Sequence, residues 1–163
     1  MKRKVFWMLA IASFIVSCTT TNPTNVESLV SPGKETSQTG LVAPAESVVK
    51  SGTFIAGEHP TTGTVQILNQ NGQQSLVLGT DFKTSELGPD LVVILHRNAD
   101  VLGSTLPPSY PLVEGSYVVL APLQQFQGTQ RYAIPANVNL SDYASVAIWC
   151  RKFNATFGTA PLR

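Results

Sequence analysis

The chain has 163 residues, with 11 lysines and arginines against 10 aspartates and glutamates, a formal net charge of +1. Three of the cations, Lys2, Arg3 and Lys4, sit at the amino terminus; without them eight basic residues face ten acidic ones, a net charge of −2. No basic stripe remains to neutralise phosphates, which excludes nucleic acid as a partner, and a body of about 110 residues suffices for one two-layer core and not for two.

After Lys2-Arg3-Lys4 comes an apolar run from Val5 to Val16, then Ser17-Cys18. This is the charged segment, apolar segment and small-residue cleavage point of an export signal. About a dozen apolar residues fall short of the roughly twenty that span a bilayer, so removal is expected and not a permanent transmembrane helix. Ile15-Val16-Ser17-Cys18 resembles the lipobox of bacterial lipoproteins. The resemblance implies a signal peptide over residues 1–17, acylation of Cys18 and a membrane partner reached through its lipid chains. It also implies the cell envelope as location, periplasmic or surface-facing, and the outer membrane where the cell has two, because Thr19 and not aspartate follows the cysteine. Two or three chains, at about 0.8 kcal/mol per methylene, hold firmly where one is marginal. The alternative is an ordinary secretory signal with an incidental cysteine. Residues 18–46 are rich in Thr, Ser, Pro, Asn and Gly with no apolar period, which reads as a flexible tether, or alternatively a spacer reaching peptidoglycan.

From residue 47 to 163 apolar, β-branched clusters recur between Gly, Pro and Asn. In chain order the predicted strands are Gly52–Ala56, Thr64–Asn69 and Ser75–Leu78 around Asn71-Gly72, then Leu91–Leu95, Tyr117–Leu120, Arg131–Ile134 and Val146–Cys150. Asn-Gly suits a type I′ hairpin turn, and the unbroken run Leu91–Leu95 predicts a strand buried on both faces. Short helical turns are expected over residues 140–143 and 152–157. The fold class is therefore all-β: one antiparallel sandwich or barrel-like domain.

With Cys18 acylated, Cys150 is the single thiol left, without an internal disulfide partner. An unpaired cysteine in an oxidising compartment is core packing, a cofactor ligand or a reactive group. His59 and His96 are the two histidines; each reads as a ligand or as a satisfied solitary side chain. Cys150 with His59 has the donor types for haem iron, and Cys150 with both histidines those for copper. A usual blue-copper set is disfavoured, because Met1 and Met8 leave with the signal and no His or Met follows Cys150. Covalent c-type haem is excluded by the lack of Cys-x-x-Cys-His. Trp149, Tyr132 and Tyr143 are secondary candidates to line a pocket around the thiol, or else core aromatics. Arg131 and Lys152 would depress the thiol pKa if they approached it. No hydrolase or nucleotide-binding motif occurs. Asn154-Ala155-Thr156 forms a glycosylation sequon.

The segment Tyr143–Phe153, containing Trp149-Cys150, followed by Phe157–Leu162, resembles the carboxy-terminal signature of the DM-thirteen domain family. Gly52-Thr53-Phe54, His59 with Gly63-Thr64-Val65, Asp81-Phe82 with Gly88–Leu91, and Gly128–Pro135 precede it in the family's order. The resemblance implies a β-rich extracytoplasmic domain, carried in bacteria as a short lipoprotein. It further implies electron transfer at the cysteine, here Cys150, as a bare thiol or as ligand to a group such as haem, with a redox partner protein. The competing expectation is a non-catalytic envelope-binding sandwich in which Cys150 is core.

Overall fold

A computed structural model describes residues 45–163; the proposed signal, Cys18 and most of the tether lie outside the described residues. Nine strands form two antiparallel sheets. Strand β1 (Ser47–Thr53) pairs with β3 (Thr64–Gln70), which pairs with β4 (Gln73–Leu78), and β4 pairs with β7 (Gln130–Ala133). The second sheet runs β2 (Ile55–Ala56), β9 (Ala155–Pro161), β8 (Ser145–Cys150), β5 (Leu91–His96), β6 (Tyr117–Pro122).

Local chemistry explains the pairings. Asn71 and Gly72 take φ of 53° and 83°, the left-handed values a two-residue type I′ turn requires, and this sets Gln70 opposite Gln73. Further along the register, the pairs Ile67 with Leu76 and Val65 with Leu78 then share the inward face. Opposite them β5 contributes Leu91, Val93 and Leu95, and β8 contributes Val146, Ile148 and Cys150, to one cluster between the sheets. Burying each large apolar side chain there stabilises the fold by about 1.5–3 kcal/mol.

All six residues of β5 and all six of β8 are buried, because the outer face of this sheet is covered as well. Val101 and Leu112 of the long connection between β5 and β6 pack with Val92, Ile94, Ala147 and Trp149, beside half-buried Tyr117 and Val119. The sandwich class and the doubly buried strand are as the pattern predicts. Two local expectations are corrected. Residues 52–56 belong to two strands in different sheets, divided at buried Phe54. Residues 152–157 form a turn leading into β9 and not a helical turn, because β9 closes a hairpin on β8 with Cys150 opposite Ala155. The expected turn at 140–143 is a 3-10 turn over Leu140–Asp142, begun by the Asn139 side chain accepting from the Ser141 N–H.

Candidate functional site

Cys150 is the last residue of β8, flanked in the sheet by Leu91 and Ala155, and it is fully buried. Its side chain belongs to the inter-sheet cluster that also holds Phe157, Tyr132 and Tyr143, but Tyr143 lies at the opposite end of β8 and is not brought to the thiol. Strand alternation puts its neighbour Trp149 on the opposite face. There the indole packs at 4.9 Å from the Tyr117 ring and donates Nε1–H to Asn154 Oδ1 at 3.0 Å. Trp149 therefore does not line a pocket with the thiol.

His59 is half-buried beside the start of β9. Gly158 carries no Cβ to obstruct the Thr61 side chain, and the Thr61 hydroxyl donates to the Phe157 carbonyl at 3.0 Å. This holds the preceding residues so that the His59 ring lies 4.2 Å from the Phe157 ring, at 53°. His59 thus contacts an aromatic of the cluster that contains Cys150.

His96, at the end of β5, has both ring nitrogens occupied. Nδ1 accepts the Asn98 backbone N–H at 3.0 Å, which assigns the proton to Nε2, and Nε2 donates to the Ser116 hydroxyl at 3.1 Å. Burial holds its pKa below the ordinary 6.5, against a smaller raising effect of the Asn98 backbone. Tyr132 donates its hydroxyl to Gln130 Oε1 at 2.7 Å and accepts the Gln124 N–H at 3.1 Å; burial pushes its pKa above the usual 10.0. Tyr143 lies under the Arg97 guanidinium at 5.1 Å.

The two cations considered as thiol activators are engaged elsewhere. Arg131 is paired with Glu46 at 2.9 Å and donates to Ser75 at 2.8 Å, while exposed Lys152 lies 5.7 Å from the Phe153 ring. Arg151 is the cation next to Cys150, and it forks onto Asp90 at 2.9 and 2.7 Å; the pair raises the Arg151 pKa and lowers that of Asp90.

A haem at Cys150 needs space at the sulfur. The cluster fills that position, and the two grooves described on the surface are lined by neither Cys150 nor His59. Among the described residues no buried side-chain nitrogen or oxygen lacks a partner, and no three His, Cys, Asp or Glu side chains gather around one point. The residues of this conformation do not fit a haem at Cys150. The arrangement instead offers one neutral environment for a thiol, sealed by packing and set at a strand end.

A family model described as Electron transfer DM13 matches residues 53–162, nearly the whole described domain. The chain belongs to the Electron transfer DM13 family. Family membership carries an electron-transfer role at the family level and brings Cys150, His59, Trp149, Tyr132 and Tyr143 inside one matched region. No curated protein and no solved structure matches the chain.

Sequence reasoning missed the part played by Asn154, seen only as a sequon. Its Oδ1 accepts from Trp149 and from the Leu112 N–H at 2.8 Å, and its Nδ2 donates to the Leu112 carbonyl at 3.1 Å. The amide that a glycan would use is thus committed to the fold. The available signal was its place in a tight turn, where Asn tolerates the observed φ of 46°.

Proposed function

We propose that this chain is a lipid-anchored extracytoplasmic electron-transfer domain whose redox group is the Cys150 thiol. The observation that carries the reading is the family match over residues 53–162, which contains Cys150 as the one free cysteine among the described residues. Complete burial is compatible with electron transfer, which needs a short packed path and not solvent contact. It opposes thiol exchange, in which a thiolate must reach a partner's disulfide sulfur. One-electron oxidation of the thiol would pass the electron to a redox partner protein and release the proton, in the end, to water.

A second reading has its own support: Cys150 is fully buried among apolar side chains, as a purely structural cysteine would be, in a non-catalytic envelope-binding domain. Titrating the detergent-solubilised mature protein with hexachloroiridate, a one-electron oxidant, separates the two. Electron transfer at Cys150 expects the native protein to lose its thiol, counted after denaturation, while circular dichroism stays unchanged and Cys150→Ser consumes correspondingly less oxidant. A thiol that survives in the folded protein leaves the packing role and removes the redox one.

A further inference from the structure

A groove of about 970 Å3 lies at the hairpin end of the first sheet, between the β3–β4 turn and residues 134–141. It reaches from Val49 and Lys50 of β1 to Arg131 and Ala133 of β7, the two outer strands of that sheet. Three strand spacings of about 4.8 Å make this span roughly 14 Å, the length of about four extended residues at about 3.3 Å each.

The lining has two cations and no carboxylate. Lys50 Nζ donates to the Tyr143 and Leu140 carbonyls at 3.0 and 3.5 Å, which hold the ammonium in place. Among the described residues no Asp or Glu lies within ion-pair distance of it. Arg131 Nη1 donates to Ser75 Oγ at 2.8 Å, which fixes the guanidinium against the groove wall. The same guanidinium grips both oxygens of the Glu46 carboxylate, Nη1 to Oε1 at 2.9 Å and Nη2 to Oε2 at 3.1 Å. The side-chain amides of Gln73, Gln74 and Asn137 also line the groove, and among the described residues they make no hydrogen bond.

We propose that this groove binds an extended peptide carrying a carboxylate, with Arg131 as the fork that takes the carboxylate and Glu46 as the chain's own placeholder in it. The Arg131–Glu46 contact displays the ligand geometry, a two-pronged, charge-assisted pair made by a residue of an extended segment. The two side chains are 48% and 34% exposed, so the pair holds loosely and a competing carboxylate replaces it at little cost. The Lys50 charge, unneutralised by any described carboxylate, favours a negative occupant. The unused amides offer the directional bonds that a peptide backbone takes, whereas no aromatic ring lines the groove for a sugar to stack on. Cys150 takes no part in this site, so it stands apart from the redox reading.

Titrating the isotope-labelled full chain in detergent micelles with acetyl-Ala-Ala-Ala-Glu-amide, followed by NMR, tests this. The expected result is saturable shifts confined to residues 73–75, Arg131 and residues 134–141. Glu46→Gln and Arg131→Gln remove the same exposed ion pair, so a purely structural pair gives both variants the same effect. As placeholder and fork they move affinity in opposite directions: Glu46→Gln strengthens binding about two- to fivefold, and Arg131→Gln weakens it about tenfold. The peptide with Gln in place of Glu should bind the wild type about as weakly as the original binds Arg131→Gln. The proposal is overturned if shifts are absent even in Glu46→Gln, if they spread over other surfaces, if both variants change affinity in one direction, or if the Gln peptide binds equally well. An N-acetylglucosamine trimer that shifts the same amides at equal or lower concentration would make the groove a glycan site and overturn it too.

Discussion

Protonating His96 would put a second N–H on a buried ring whose Nδ1 already faces the Asn98 N–H. Its other neighbours are Ser116, the paired Ser145 and Tyr117, and the adjacent Arg97, whose guanidinium lies 3.8 Å from Asp142. Because burial lowers the folded pKa beneath the ordinary 6.5, the unfolded chain binds the proton more readily. The His96 contribution is therefore complete above about pH 6.5 and lost as pH falls through the folded pKa. Thermal unfolding should show wild-type Tm dropping from about pH 7 to about pH 5, with a shallower drop in His96→Gln. Equal slopes would remove His96 from the pH response. The lowered pKa values of Asp81 and Asp90 add stability that is lost only as pH falls below the ordinary carboxylate value of 3.8, outside this window. At the same scale, the adjacent residues Trp149 and Cys150 were both legible as candidates, but their separation onto two faces follows only from a strand with packing on both sides.

The β8–β9 hairpin depends on its turn. Asn154 ties Trp149 and Leu112 together, so it also fixes the long connection that covers the outer face of the sheet. Asn154→Ala leaves the Trp149 Nε1–H and both Leu112 backbone groups without this partner, in a left-handed position that disfavours alanine. The expected loss is about 2–3 kcal/mol, a fall of roughly 1–2 M in the urea midpoint. Asn154→Gly restores the backbone freedom and should recover only part of that loss, and full recovery would show that the side-chain bonds contribute little. The same hairpin shows why β9 was not legible. Ala155-Thr156-Phe157-Gly158-Thr159-Ala160 has no run of β-branched apolar residues and no alternation, because it lies between two strands and under Thr61, where small residues are required. By contrast Asn71-Gly72 and the run at β5 state their conformation locally, and both were read correctly.

At the scale of the whole molecule, the lipid anchor is a proposal about residues outside the described domain. No helix among the described residues is long and apolar enough to cross a membrane. Cys18→Ala should move the exported protein from the membrane to the soluble fraction, read by blotting after ultracentrifugation, and unchanged partitioning would remove the anchor. Such changes leave the sandwich intact, since its core draws on residues 54–160. The sequence by itself determined the all-β class, the hairpin turn, the family and the short list of chemically capable side chains, because these depend on local periodicity, φ preferences and residue type. Tertiary structure alone decided that Cys150 is sealed between two sheets, that His59 rests on Phe157 and that His96 and Asn154 are held by hydrogen bonds. It also decided that Cys150 and Ser47 occupy opposite ends of the sandwich, for these depend on pairing between segments up to about a hundred residues apart, which no local pattern encodes.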